Sequence, residues 1–167
     1  MLRTSLLLCG LLAAPFALAG PIRAGLWEVE TANMQVAGQD VPAMQEMLAQ
    51  LKNLPPQQRQ MMEEMMKQQG VSLGDSGVRV CLSQAQVDTQ EIPLQESGCS
   101  QEITERTDQL LKFRYSCPDS SGEGEARFVS DREMVTRVSG TAQGQPTQVE
   151  TRSRWISADC GGLTPAR

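Results

Sequence analysis

Residues 99–117 read CSQEITERTDQLLKFRYSC, a stretch with the pattern of a β-hairpin. In its second half apolar and polar side chains alternate, which predicts a strand with one buried face. The residues on that face are Leu111, Phe113, Tyr115 and Cys117. If residues 99–104 form the partner strand and the chain turns around Thr107-Asp108-Gln109, positions 99 and 117 lie opposite each other. The spacing therefore predicts a disulfide between Cys99 and Cys117.

Alternating segments of the same kind recur at residues 27–31, 78–82, 125–130, 134–139 and 147–156. Turn residues separate several of them, and this spacing is typical of an antiparallel meander. Aromatic side chains fall one or two to a strand, and we expect them to form the centre of the core. They are Trp27, Phe113, Tyr115, Phe128 and Trp155. We therefore predict an α+β fold in which about six strands form a curved antiparallel sheet.

Residues 40–70 differ from the rest, since they lack aromatic residues and contain six methionines. The apolar spacing after Asp40 predicts a first helix that this aspartate caps. Asn53-Leu-Pro-Pro then breaks the pattern. Pro56 suits the first turn of a second helix over 57–69, and Gly70 suits its C-terminal end. We therefore expect a Met-rich two-helix hairpin, inserted after the first strand.

The methionines of this insert allow four interpretations. The residues concerned are Met44, Met47, Met61, Met62, Met65 and Met66. They could form a small core between the helices and the sheet, because methionine fills irregular gaps. They could instead form a recognition surface, since flexible thioether side chains repack around different apolar partners. Soft thioethers could also bind Cu(I), and methionine oxidation could consume oxidants.

The N-terminus has the anatomy of a cleaved export signal over residues 1–19. A basic residue near the start precedes an apolar run over 6–14, and Ala17 and Ala19 fit a small-residue cleavage site. The apolar run is too short to span a bilayer of about 30 Å, so no transmembrane anchor is predicted. Residues 20–167 are then expected to form a single exported, periplasmic domain.

Removal of the signal, together with Cys9, leaves four cysteines. An even number in an exported chain is typical of disulfides formed in an oxidising compartment. With Cys99 assigned to Cys117, the remaining pair is Cys81 with Cys160. The sequence has no C-x-x-C motif and no histidine to activate a thiolate, so no catalytic thiol is predicted. The wide, single spacing also argues against a zinc site.

Composition excludes several classes of function. The 167-residue chain has no histidine and a formal net charge of -5. Histidine-dependent nucleophile pairs cannot form, and an acidic chain without a basic run does not favour nucleic acid as a partner. Carboxylate pairs such as Glu63 with Glu64 and Glu102 with Glu105 are expected on the wet surface. We therefore predict no enzyme activity, no catalytic residue, no metal site and no cofactor.

A minor alternative is an anion site on the outer face of the sheet. Its candidate residues are Arg127, Arg137, Arg152 and Arg154. Guanidinium groups suit phosphate and carboxylate, but nearby glutamates are expected to neutralise these arginines. The glutamates are Glu125, Glu133 and Glu150.

Several landmarks together resemble a known family. They are GLWE at 25–28, LPPQQRQMMEEMM at 54–66, VCLS at 80–83, Cys99, YSC at 115–117, and Trp155 ahead of Cys160. Over nearly the whole mature chain, this combination is similar to the bacterial exported family called domain of unknown function 3617. The resemblance implies an envelope setting in Gram-negative bacteria and no established activity. Residues 115–117 and the following turn also resemble periplasmic lysozyme inhibitors, although the helical insert departs from that pattern.

We predict a non-enzymatic periplasmic protein that binds or scaffolds an envelope protein, or another apolar ligand, through its Met-rich helices. The alternatives are a Cu(I)-binding or oxidation-buffering envelope protein, and a protein like the lysozyme inhibitors.

Overall fold

The computed structural model describes residues 22–41, 44–89 and 98–165, which form one antiparallel sheet and three helices. The strands are β1 (Gly25–Val36), β2 (Gln39–Asp40), β3 (Val71–Leu73), β4 (Val78–Leu82), β5 (Ser100–Arg106), β6 (Leu110–Ser116), β7 (Ser120–Ser130), β8 (Glu133–Ala142) and β9 (Gln145–Ser157). The helices are α1 (Met44–Lys52), α2 (Pro56–Gln68) and α3 (Gln84–Thr89). The predicted signal, residues 1–19, lies outside the described ranges. None of the helices within those ranges is long and apolar enough to cross a membrane.

The strands follow the order β3-β4-β1-β9-β8-β7-β6-β5, and β2 pairs with β1 outside that order. From β5 to β9 each strand pairs with the next in the chain, which confirms the antiparallel meander. The sheet then continues through β1, which pairs with both β9 and β4. The described residues form nine strands, so the prediction of about six was wrong. The missed β2 and β3 have two and three residues, too few to show an alternation.

Strands β5 and β6 form the predicted hairpin. Ser100 pairs with Ser116 and Ile103 with Phe113, a register centred on residue 108. Between Ile103 and Glu105 the register shifts, so a bulge lies just before the turn. The alternation in the sequence therefore predicts the pairing but not the extra residue.

Two disulfides connect the strands, as predicted. Cys99 and Cys117 bridge the open end of the β5–β6 hairpin, with Cα atoms 4.1 Å apart. Cys81 in β4 is bonded to Cys160 beyond the end of β9, at a sequence separation of 79 and a Cα distance of 5.5 Å. Because structural disulfides persist in oxidising compartments, these bonds fit folding outside the cytoplasm.

One face of the sheet carries the core. Its buried cluster consists of Leu111, Ala126 and Phe128, with Ile22, Ile103 and Met134 packed against it. Trp27 in β1 and Phe113 in β6 are also buried. Gly124 lies opposite Phe113 on β7, where a Cβ would stand 2.4 Å from Cζ of Phe113, so the missing side chain makes room for the ring. Tyr115 and Trp155, which were expected at the centre, are only half-buried.

The helical segment agrees with the sequence in part. Asp40 does not cap a helix, because it lies in β2 and its carboxylate accepts a hydrogen bond from Nε2 of Gln35 at 2.9 Å. Helix α2 has Pro56 in its first turn, and Gly70 follows its end with φ +78°. The packing of α1 against α2 as a hairpin stays a prediction. Helix α3 was not predicted, since its six residues are too few to show a helical period.

Candidate functional site

Helix α2 carries four methionines within two turns. Its Gln, Glu, Lys and Met residues are good helix formers, and Pro56 occupies a position where its missing N–H leaves no hydrogen bond unmade. Lys67 lies in the last turn, where a cation meets the negative end of the helix dipole. Residues 61–66 therefore lie in the regular part of the helix. Met61 and Met65, like Met62 and Met66, are neighbours one turn apart.

The least exposed side of α2 is largely polar. Arg59, Glu63 and Met66 are half-buried there and follow one another at helical spacing. Nε of Arg59 and Oε1 of Glu63 lie 3.8 Å apart. The side chains of Arg59 and Glu63 are 43% and 41% exposed, so Glu63 lies on the wet surface, where it was expected. No residue within α2 is fully buried.

Three methionines of α2 are exposed, on a helix surface that also carries exposed glutamines and Glu64. Met61 is 69% exposed, Met65 59% and Met62 36%. We call these three residues the methionine face, with Met66 at its inner border. A helix that packs on a core turns its apolar stripe inward, whereas α2 exposes Met61 and Met65 and has no fully buried residue. The methionine face therefore contributes little to a core and is available for contact with another molecule.

The two remaining methionines of the predicted cluster, Met44 and Met47, lie on α1. Their side chains are outside the described part of the structure. Helical spacing brings together the four methionines of α2, and the contact of Met44 and Met47 with them stays a prediction. Helix α1 does bury an apolar side chain, since Leu48 is 3% exposed.

A second candidate region is the polar face of the sheet, where basic and acidic residues alternate across the strands. Arg137 on β8 lies between Glu125 on β7 and Glu150 on β9. Its Nε donates to Oε2 of Glu150 at 2.8 Å, and Nη1 lies 3.6 Å from Oε1 of Glu125. The hydrogen bond to Glu150 is the largest cause that raises the pKa of Arg137. A guanidinium held by two carboxylates has little capacity left for an external anion.

Two of the other predicted arginines are also near carboxylates. Arg127 lies 3.9 Å from Glu125, and Arg154 lies 3.8 Å from Glu30. Arg152 shares the same face, between Glu30 and Val135 in the strand register. The four arginines therefore lie on one face, as expected, but glutamates interrupt them.

A cleft of about 790 Å³ opens on this polar face, and its lining includes Lys112, Glu125, Arg137 and Glu150. Nζ of Lys112 lies 2.6 Å from Oε2 of Glu105. This hydrogen bond is the largest cause that raises the pKa of Lys112. Because opposite charges alternate along the cleft, their potentials largely cancel, and the cleft attracts neither anions nor cations strongly.

The sequence gives no sign of one buried carboxylate. Glu28 reads as a wet-face residue of β1 but is only 8% exposed. It accepts hydrogen bonds from N–H and Oγ of Ser76, at 2.9 and 2.8 Å, and from Nε of Arg79 at 3.0 Å. Burial raises the pKa of Glu28, but the hydrogen bonds outweigh burial and bring that pKa to about 2. A carboxylate with so low a pKa is a poor proton acceptor. Glu28 is therefore better suited to attaching the β3–β4 turn to β1 than to proton transfer.

One member of each carboxylate pair named in the sequence analysis has a basic neighbour: Glu63 lies near Arg59, and Glu105 pairs with Lys112. In the part of the chain that the structure describes, no three Cys, Asp or Glu side chains are grouped so that they could hold a metal ion. The methionine face remains the most distinctive feature of the described surface, and we take it as the candidate site.

Comparison with known proteins places this architecture in a family. The chain is 52% identical over 128 residues to an uncharacterized protein in the lpd-3 5′ region of Pseudomonas putida. The aligned residues cover 75% of this chain and 90% of that relative. No solved structure matches the chain. The family described as protein of unknown function DUF3617 matches residues 22–160. The chain therefore belongs to the DUF3617 family, as the sequence landmarks predicted.

Proposed function

We propose that this protein is a non-enzymatic binding protein of the periplasm, exported through a cleaved signal over residues 1–19. In this proposal the methionine face of α2 docks an apolar segment of another envelope protein. The observation that carries the proposal is the exposure of Met61 and Met65, at 69% and 59%, on a helix that has no fully buried residue.

Methionine suits such a surface for a physical reason. Its unbranched, polarizable side chain adapts to partners of different shape, so a methionine surface can accept several apolar sequences. Flanking polar residues would keep the surface hydrated when no partner is bound. Gln57, Gln60 and Glu64 are exposed around it.

The size of the face limits the strength of the interaction. A helix of 13 residues is about 20 Å long, so one side of it buries much less area than the roughly 800 Å² per partner of a standard stable interface. We therefore expect transient docking with fast release rather than a permanent complex. The same limit disfavours a stable dimer formed through this face alone.

The periplasmic setting is supported by the two disulfides, which need an oxidising compartment to form and persist. The predicted signal sequence supports it independently.

Site-specific photocrosslinking in cells tests the proposal. A photoreactive amino acid at position 65 should give a discrete adduct with an envelope protein, identified by mass spectrometry. The matched control is position 60, which is exposed on the same helix and lies about 100° around it from Met61, away from Met62. No adduct at position 65, or the same set of adducts from both positions, would count against docking on the methionine face.

A second candidate function, Cu(I) binding, is favoured by the one-turn spacing of the exposed thioethers of Met61 and Met65. Leucine substitutions distinguish the two functions, because leucine keeps the apolar surface and removes the sulfur. Cu(I) binding is supported if the wild type binds Cu(I) with a dissociation constant below micromolar and Met61→Leu/Met65→Leu does not.

A further inference from the structure

The methionines of the described residues differ widely in their access to solvent. Met61 and Met65 are 69% and 59% exposed. Met134 packs against the buried cluster of Leu111, Ala126 and Phe128. Chemistry that depends on contact with a dissolved reagent should therefore distinguish α2 from the sheet.

Oxidation of the thioether is chemistry of this kind. When a peroxide attacks, the methionine sulfur donates an electron pair to one peroxide oxygen and the O–O bond breaks. An S=O bond forms, and the second oxygen leaves as water when the oxidant is hydrogen peroxide. The sulfur loses two electrons and the peroxide gains two, so no further reductant or oxidant is needed.

We infer that, among the methionines whose side chains the structure describes, Met61 and Met65 are the primary sites of modification by peroxides, and that their conversion to sulfoxides disables the methionine face. The first part rests on exposure alone. The second part rests on the proposed docking function.

The physical effect of the modification is a change of polarity at constant fold. A sulfoxide oxygen is a strong hydrogen-bond acceptor, and burying it against an apolar partner leaves it without a donor. Because no residue of α2 is fully buried, the modification removes no core contact and the helix should persist. Reduction of the sulfoxide by methionine sulfoxide reductases would restore the face.

Peptide mapping tests the first part. Trypsin releases residues 60–67, which contain the four α2 methionines, and residues 133–137, which contain Met134. After brief treatment of the native protein with hydrogen peroxide, fragmentation should locate the first oxygen on Met61 and Met65, several times faster than on Met134. The difference should vanish in urea. Equal rates in the native protein would overturn the assignment.

Two variants serve as matched controls for the map. Met61→Leu/Met65→Leu should slow oxygen uptake by peptide 60–67, because Met62 and Met66 are less exposed. Met134→Leu should leave that uptake unchanged. If oxygen uptake by peptide 60–67 is unchanged in the double variant, the assignment of the oxidation to Met61 and Met65 is wrong.

Crosslinking from position 62 tests the second part, because it leaves Met61 and Met65 in place. Peroxide treatment should lower the adduct yield about ten-fold, and reductase treatment should restore it. The adduct of Met61→Leu/Met65→Leu should resist peroxide, which controls for oxidation of the partner. An adduct yield that does not fall although both methionines are oxidised would overturn the inference that the sulfoxides disable the methionine face. No adduct before oxidation would contradict the docking function instead, and the peptide map would still decide the oxidation site.

Discussion

Glu28 shows what the alternation of a strand can and cannot predict about a single residue. Its position on the polar face of β1 follows from the sequence, since Trp27 and Val29 point the other way. Its burial does not follow, because the hydrogen-bond donors come from Ser76 and Arg79, 48 and 51 residues away. A local pattern contains no information on a turn that folds back from so far along the chain.

The pKa of Glu28 predicts a dependence of stability on pH. That pKa is about 2 in the folded protein against the usual 4.5 of a glutamate, so the folded state favours the ionised form. The resulting stabilisation is complete above about pH 5 and is lost as the pH falls through about 2, because both states are protonated there. A shift of this size corresponds to about 3 kcal/mol.

The variant Glu28→Gln isolates this effect, since glutamine keeps the shape and cannot ionise. We expect the wild type to exceed the variant in free energy of unfolding by about 3 kcal/mol at pH 7, and the difference to shrink steadily between about pH 5 and 2. Urea unfolding at several pH values measures it. Arg79 also contacts Asp75, at 3.0 Å, and we expect the variant to keep this contact. A difference that does not change with pH would contradict the role assigned to Glu28.

At the level of elements, α2 shows how helix boundaries and helix orientation differ in predictability. Pro56 and Gly70 are local signals for the two ends of the helix. The helix spans Pro56–Gln68, close to the bounds that they predict. Its orientation depends on what lies beneath it. The sequence pattern is compatible with buried methionines as well as with the exposed Met61 and Met65 that the structure has, so the pattern alone left core and surface interpretations open.

The orientation of α2 predicts that its methionines contribute little to stability. Met61→Gln/Met65→Gln should change the free energy of unfolding by no more than about 0.5 kcal/mol, as expected for surface substitutions. Leu48→Ala on α1 is the contrasting control, and should cost about 2 kcal/mol or more because Leu48 is buried. Urea unfolding of the three proteins gives the comparison. A large loss in the double glutamine variant would restore the core interpretation.

For the whole molecule, the sequence predicts neighbours in the chain better than distant partners. The β5–β9 meander follows from short turns, because each strand pairs with its successor. The pairing of β1 with β9 joins the two ends of the described chain, and β1 also pairs with β4 across the helical segment. Those pairings depend on which faces and edges match in three dimensions. The disulfide from Cys81 to Cys160 provides a covalent counterpart to this long-range arrangement.

The two disulfides should differ in their contribution to stability. Their sequence separations are 79 for Cys81–Cys160 and 18 for Cys99–Cys117. Loop-closure entropy then predicts losses of about 4.5 and about 3 kcal/mol when each pair is replaced by alanine. Urea unfolding of the two double variants provides the comparison. A larger loss from the short loop would show that local packing in the hairpin, rather than chain entropy, dominates.

The docking claim is tested most directly by the yield of the position-65 adduct in cells when the rest of the methionine face is altered. We expect Met61→Leu/Met62→Leu to retain most of the adduct, because leucine preserves an apolar surface of similar volume. We expect Met61→Gln/Met62→Gln to lower the yield about ten-fold or more at equal protein level, because the apolar contact is lost. Equal yields from the two variants would contradict the claim that an apolar partner docks on the methionine face.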